Sequence, residues 1–321
     1  MRKALLLAMI GLASLAPSAC ADGDEITLAL DWFPNSNHAG VFEAVKRGYF
    51  EDEGIKVKVY TPSDPATILQ TVGAGRDDFG ISYQPDLLQA RSEGLPVVSI
   101  AAIVQHPLNS IMALESSGIT RPGQLKGKKV GYPGIPSNMG MLETMLLNDQ
   151  LTLADVELVD VGFGLVPALL GGIVDAIVGG YWTHESILMK LQGHPVNVMR
   201  MELWGVPDFY ELLLVTNEKT LRDNKELVQR FVRAFNKGFE AAMQDPQGSI
   251  TTLLAANPEV VQEALEREGV ELLKPLWMAE APKFGWQDRQ RWASFTAWMS
   301  ARGLVRSDLL VESAFTNEFV Q

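Results

Sequence analysis

The chain has 321 residues, of which 47% are hydrophobic and 21% charged, with a formal net charge of −12. At roughly 150 residues per domain this length suggests two domains or lobes, and the composition excludes a disordered chain, a collagen and a multi-span membrane protein. No run of basic residues breaks the acidity, which argues against a nucleic-acid backbone as partner.

The first twenty residues read as an export signal. Met1-Arg2-Lys3 is a short positive start, Ala4 to Leu15 is apolar, and Ala16-Pro17-Ser18-Ala19-Cys20-Ala21 follows. The apolar run is too short for a membrane span. Two readings of its end stay open. Cys20, the sole cysteine, is placed to become the acylated N-terminus of a lipoprotein, although Pro17 stands where such signals carry Leu. Ala19-Cys20-Ala21 equally fits ordinary A-x-A cleavage. On either reading the protein works in the periplasm or otherwise outside the cytoplasm, and its exported body has no internal disulfide and no thiol catalyst.

Beyond the signal, helical and strand patterns alternate, which predicts an α/β fold. Glu25 to Leu30 reads as a buried strand. Ser63-Asp64-Pro65 opens a helix running to about Ala74, Gly75 ends it, and Asp78 to Ser82 is the next strand. Gly127 to Gly131 is a short strand, and Ser137-Asn138 caps a helix from Met139 to Asn148. The first device then recurs. Val166 to Leu170 is apolar helix, Gly171-Gly172 stops it, and Asp175 to Val178 is a strand, with an Asp three residues after a Gly in both copies. Phe209 to Thr216 reads as a strand returning the chain to the first lobe. From Asp223 a long amphipathic helix carries Leu227, Phe231, Phe235 and Phe239, with Asp223 and Glu226 as its capping box. Trp286, Trp292, Phe295, Trp298 and Met299 form a helix-packing stripe. The division expected is lobe 1 over 24–111 and 214–321, and lobe 2 over 112–213, with crossings near Met112 and Leu213.

In open α/β sheets, ligands bind beyond the carboxyl ends of parallel strands. Four such ends here carry an aromatic beside a polar or glycine-rich turn. They are Asp31-Trp32 running on through Asn35 and Asn37-His38, Tyr83-Gln84, Tyr132-Pro133-Gly134 leading to Ser137, and Gly179-Gly180-Tyr181-Trp182 leading to His184-Glu185. A single Trp or Tyr is more often core, but four at the ligand edge favour a site that sandwiches a flat ring. Asp31 or Glu185 would accept hydrogen bonds from an amino group beside a ring nitrogen, more strongly if that nitrogen is protonated. These residues predict a socket for an aminated heteroaromatic.

Other chemistries fit less well. The four histidines, His38, His106, His184 and His194, have no metal-binding spacing. Gly131 to Gly134 lacks the Gly-Lys-Ser/Thr of a phosphate loop. Asp77-Asp78 suits turn chemistry better than an acid/base pair. No Ser/His/Asp arrangement is identifiable, and no cofactor or metal is expected.

Four segments carry a resemblance: Leu30 to His38 (LDWFPNSNH), Lys46 to Gly54 (KRGYFEDEG), Gly80 to Gln84 (GISYQ) and Gly180 to Glu185 (GYWTHE). Together they resemble the periplasmic solute-binding proteins of ABC transporters, in the thiamine-pyrimidine branch nearest the formylaminopyrimidine binders, over almost the whole mature chain. The resemblance implies a monomeric two-lobe fold of the type II periplasmic-binding class, closing by a hinge over a ligand in an inter-lobe cleft and docking on an inner-membrane ABC permease. It implies that Trp32 and Tyr181 or Trp182 stack on a formylaminopyrimidine or hydroxymethylpyrimidine, with polar contacts from Asn37, Tyr83 and Glu185. Riboflavin, a sulfonate or nitrate are the alternative ligands. The related fungal thiamine-pyrimidine synthase is the enzyme alternative. It carries an active-site Lys, a His and a cysteine cluster where this chain has Ser82, Asp86 and Gly205 to Tyr210, which points away from catalysis.

Overall fold

The computed structural model describes residues 23–320. The export signal and Cys20 lie outside the described residues. Four strands come first, β1 (Asp24–Ala29), β2 (Ile55–Tyr60), β3 (Phe79–Ser82) and β4 (Val97–Val104). Five more follow, β5 (Asn109–Leu114), β6 (Lys129–Tyr132), β7 (Glu157–Asp160), β8 (Ala176–Tyr181) and β9 (Val196–Arg200), and then β10 (Leu212–Asn217).

They assemble into two mixed sheets with helices between the strands, an α/β architecture. The first has the order β2-β1-β3-β10-β4 and the second β7-β6-β8-β5-β9. In each, four strands run in one direction and the remaining strand, next to a crossing between the sheets, runs against them: β10 between β3 and β4, and β5 between β8 and β9. The chain passes between sheets over 105–108 and again over 201–211. Met112 and Leu213, near which the crossings were expected, lie in β5 and β10, the strands into which the two passages lead. Short runs such as Leu28-Ala29-Leu30 and Val97 to Val104 are buried on both faces, as strands covered by helices must be.

The repeated device of the sequence has a physical basis. Gly75 and Gly172 end their helices at φ of 69° and 67°, the left-handed conformation that favours glycine. Three residues on, Asp78 Oδ2 accepts from the Thr27 N–H of β1 at 2.9 Å, and Asp175 Oδ2 accepts from the Lys129 N–H of β6 at 2.9 Å. Each aspartate thus fastens the strand it precedes to the backbone of the neighbouring one.

Two helix starts differ from expectation. The helix Ser137–Leu147 has Pro136 at its N-cap, so Ser137 and Asn138 sit in its first turn and do not cap it. The helix Lys225–Gln244 starts after Asn224, and Asp223 closes the preceding helix Glu218–Asp223, so the Asp223/Glu226 box does not form. The buried stripe of the long helix is as expected: Phe231, Phe235 and Phe239 have no exposure, and Phe231 stacks on Phe79 at 3.8 Å between ring centroids. Its Gly238 meets the helix Ala39–Lys46 backbone to backbone, since a Cβ there would lie 2.1 Å from the Gly40 carbonyl oxygen. The C-terminal helix Arg289–Ala301 buries Trp292, Phe295 and Met299 in one cluster with Leu87, Leu88, Met141 and Met145. That cluster draws on both sheets' surroundings, and Arg302 Nε reaches Thr144 Oγ1 at 3.1 Å. Among the described residues no helix is long and apolar enough to cross a membrane.

Candidate functional site

The carboxyl ends of β1 and β3 in one sheet face those of β6 and β8 in the other, and a cavity lies between them. It holds about 500 Å³ counted to its open mouth. Of the twelve residues singled out from sequence, seven line it: Asp31, Trp32, Asn35, Tyr83, Ser137, Tyr181 and Glu185.

The other five are placed elsewhere, each for a visible reason. The chain turns at Ser36–His38, directing Asn37 and His38 into the protein, where they are 2% and 0% exposed. Asn37 Nδ2 donates to Asn35 Oδ1. His38 accepts the Asn35 N–H at Nδ1 and therefore presents Nε2–H to Asp31 Oδ1, 2.9 Å away. Both residues support the wall without forming it. Gln84 exchanges hydrogen bonds with the backbone of Tyr210, its N–H donating to the carbonyl and its Oε1 accepting from the Tyr210 N–H. Tyr132 packs on the core around the helix Ser137–Leu147. Trp182 donates from Nε1 to the Pro107 carbonyl and lies under the Arg200 guanidinium at 4.5 Å.

Asp31 is the centre of one wall. It is 2% exposed, and its second oxygen accepts from the Tyr83 hydroxyl at 3.2 Å. Burial pushes the Tyr83 phenol well up, with the Asp31, Asp86 and Glu211 charges adding to it. Trp32 leans edge-on against Phe163 of the facing lobe at 4.5 Å between ring centroids. Tyr181 is aimed inward by a bulge in β8. The register jumps from Ser110 opposite Gly180 to Ile111 opposite Val178, leaving Gly179 as the extra residue at φ of 102°. A Cβ at Gly179 would also lie 2.9 Å from the Pro133 ring.

A chain of charges crosses between the lobes beside the cavity. Glu185 accepts the Tyr181 N–H at 2.8 Å and faces His184 Nδ1 at 3.0 Å. His184 Nε2 faces Glu266 at 3.2 Å, and Glu266 accepts the Ser36 N–H at 2.6 Å. Burial opposes charge on His184, but the two carboxylates outweigh it and raise its pKa to about 10. Burial likewise works against ionised Glu185, and the adjacent His184 holds it below its ordinary value. Nearby, Asp86 is raised to about 6 by burial, partly offset by hydrogen bonds from the Ser137 hydroxyl at 2.6 Å and the Ser137 N–H. That carboxylate occupies the start of the helix Ser137–Leu147, where an anionic ligand group would otherwise sit.

Sequence reasoning placed His184 in the cleft without choosing it as a ligand contact, and it missed Pro85, Asn109, Ile135, Asn138, Met141, Phe209 and Glu211, which also line the cavity. Glu211 had a signal, being the single acid in the apolar run Phe209 to Val215. His106, by contrast, lies away from the cavity between Asp208 (2.8 Å) and Glu280 (3.0 Å), and His194 is exposed. Asp77 accepts from the Tyr60 hydroxyl and Asp78 from Thr27, so that pair is structural.

The lining therefore combines the aromatic rings of Trp32, Tyr83, Tyr181 and Phe209 with the carboxyls of Asp31, Glu185 and Glu211. It includes no Lys or Arg. Such a surface favours a flat, neutral or cationic ligand rich in hydrogen-bond donors.

Comparison with known proteins agrees with this geometry in kind. Residues 35–249 match the family described as NMT1/THI5 like. A protein of Halalkalibacterium halodurans named formylaminopyrimidine-binding protein is 35% identical over 98% of this chain and 97% of its own. A 4-amino-5-hydroxymethyl-2-methylpyrimidine phosphate synthase of Uromyces fabae is 29% identical over 93% of this chain and 88% of its own. Among solved structures, the alkanesulfonate-binding protein SsuA from Xanthomonas axonopodis pv. citri superposes with a TM-score of 0.73, covering 92% of this chain and 99% of that one at 17% identity. The fold is thus that of the periplasmic binding proteins.

Proposed function

Because the chain belongs to the NMT1/THI5-like family, we propose that it is the extracytoplasmic substrate-binding component of an ABC importer for a thiamine-precursor aminopyrimidine. The observation that carries this reading is a cavity walled by aromatics whose ionisable groups are the acids Asp31, Glu185 and Glu211 with His184, and no Lys or Arg. A sulfonate or nitrate would meet carboxylates where it needs donors. An aminopyrimidine offers a flat face to Trp32 and Tyr181 and N–H donors to the acids. The name of the Halalkalibacterium halodurans relative supports the same ligand class.

Binding is coupled to movement in this reading. Lobe 1, centred on the first sheet, and lobe 2, centred on the second, open about the connections 105–108 and 201–211. A ligand touching both favours the closed form only by its extra affinity for it, and the closed form docks on a permease. The synthase reading has less support. Ser82 and Asp86 occupy the positions implied for that enzyme's Lys and His, and Asp86 is engaged with Ser137.

A thermal-shift panel of aminopyrimidine thiamine precursors, thiamine, riboflavin, taurine and nitrate, with mass spectrometry of whatever co-purifies, tests the assignment. A large shift with the aminopyrimidines is expected, and a shift confined to a sulfonate or to riboflavin would refute it. Two further outcomes are expected. Glu185→Gln keeps the acceptor for the Tyr181 N–H but loses the charge, so it weakens an aminopyrimidine by about tenfold, a charge-assisted hydrogen bond being worth roughly 1.5–3 kcal/mol. Its effect on the deaminated analogue is smaller, and equal losses would exclude the carboxylate–amine pairing. Cys20→Ser releases the protein from membrane fractions if Cys20 is the acylated N-terminus, whereas an unchanged distribution favours A-x-A cleavage.

A further inference from the structure

Glu211 precedes β10 and ends the second connection between the lobes. It is 2% exposed, and its Oε2 takes the Leu108 N–H at 2.6 Å and the Asn109 N–H at 2.9 Å, with the Tyr181 hydroxyl also bearing on the carboxyl. Those two residues end the first connection and begin β5, so Glu211 sits where the two passages meet. A glutamine Oε1 would accept the same two N–H groups without burying a charge. The two backbone N–H groups therefore do not require the ionised form, and a buried carboxylate is costly unless something else uses it.

One further polar atom on the lining is without a partner. Asn109, 7% exposed, donates from Nδ2 to Asn138 Oδ1 at 2.8 Å, but its own Oδ1 is buried with no hydrogen bond. The buried Tyr181 hydroxyl is turned toward Glu211. Unsatisfied buried groups are few in native proteins, and Asn109 Oδ1 falls beside Glu211 on the lining of the cavity. A ligand is the natural partner for both.

We infer that Glu211 and Asn109 form a donor-reading edge of the cavity, accepting from the exocyclic amino N–H groups of the bound heteroaromatic. This rests on the function proposed above and adds to it the residues that select for paired donors. Because Asn109 and Glu211 belong to different connections, a ligand held by both also braces the hinge.

Burial, reinforced by Asp31 and opposed by the two backbone N–H groups and Tyr181, raises Glu211 to about 7. The titratable groups that face it are Asp31 after β1, Tyr83 after β3 and Tyr181 at the end of β8. Asp86, near 6, and His184, near 10, titrate elsewhere around the cavity. Only ionised Glu211 presents acceptors alone. Protonation would place an O–H where the ligand donates, so affinity rises with pH through this range.

The test is calorimetric titration with 4-amino-5-hydroxymethyl-2-methylpyrimidine at pH 6 and pH 8, on the unmodified protein and on Glu211→Gln. The unmodified protein should bind roughly five- to tenfold more tightly at pH 8, the range set by a group titrating near 7. Glu211→Gln should bind about tenfold more weakly at pH 8 and show less change between the two values, with its apo melting temperature unchanged within a few degrees. The free aminopyrimidine is titrated separately, and comparison is confined to pH values at which its ring is neutral, so the difference between the profiles isolates residue 211. Wild-type affinity and wild-type pH slope in Glu211→Gln would overturn the inference. If that variant fails to fold, a flat profile in the unmodified protein overturns it equally. No binding of any aminopyrimidine by the unmodified protein would instead bring down the functional reading, and the inference with it.

Discussion

Trp32→Ala should weaken aminopyrimidine binding by roughly 100-fold while leaving the melting temperature of the ligand-free protein within a few degrees of its starting value. The first half follows from ring stacking, worth about 1–3 kcal/mol for a base on an aromatic side chain, at a wall where Trp32 is also the group that keeps water off one face of the ligand. The second follows from its position. Trp32 is only half-buried; its aromatic neighbours are Phe33 and Phe163 at the rim of the cleft, and it packs on the edge of the apolar cluster around Leu165 and Val166 without being enclosed by it. Titration calorimetry and a thermal melt decide together. A drop of ten degrees or more would identify Trp32 as core, and intact binding would remove it from the ligand's path.

Gly238→Val should destabilise the protein severely. The added Cβ would meet the Gly40 carbonyl oxygen at 2.1 Å, the Ala44 Cβ at 2.6 Å and the Ala44 nitrogen at 2.9 Å. Two of those three atoms are backbone, so no side-chain rotation relieves the clash. The helix Ala39–Lys46 must move away from the helix Lys225–Gln244, opening the contact that Gly40 makes with the Phe239 ring. Overpacking alone costs about 1–3 kcal/mol and a backbone clash more, which for a chain of this size means a fall in melting temperature on the order of ten degrees. Gly238→Ala should show a smaller loss of the same sign. Because the displaced helix begins directly after His38, the Asp31–His38 pair would shift with it, and ligand affinity should fall in parallel. An unchanged melting curve for the valine variant would mean that the two helices cross less closely than described.

How much of this was legible in the sequence depended on distance along the chain. Local features were readable. Apolar runs bounded by Gly, Pro and Asp gave the strands, and a strand that ends in Asp31-Trp32, Tyr83 or Gly180-Tyr181 delivers those side chains to the sheet edge whatever the rest of the chain does. Which neighbours of those residues face the ligand was not readable. The tight turn at Ser36–His38 rotates Asn37 and His38 inward, and Trp182 is claimed by the Pro107 carbonyl on the other side of the first connection. Least legible were Asn109 and Glu211, about a hundred residues apart, which meet only because β5 and β10 each insert antiparallel at their crossing. The Asp223 capping box failed for a local reason: the sequence carried caps for two adjacent helices, and the first helix took the aspartate.

The insertion of β10 between β3 and β4 has a consequence for how the chain acquires its structure. Within the first sheet β4 pairs with β10 alone, so Val97 to Val104, a fully buried strand polar only at Ser99, has no sheet partner until residues 212–217 arrive. Everything that forms the second sheet lies between them. The first lobe therefore cannot be completed during synthesis of its own N-terminal half, and its decisive pairing spans more than a hundred residues. Such long-range closure slows folding and leaves an aggregation-prone edge open in the interval. The strands of the second sheet are thus all available before the first sheet can close, so the topology itself sets the order in which the two sheets can be completed.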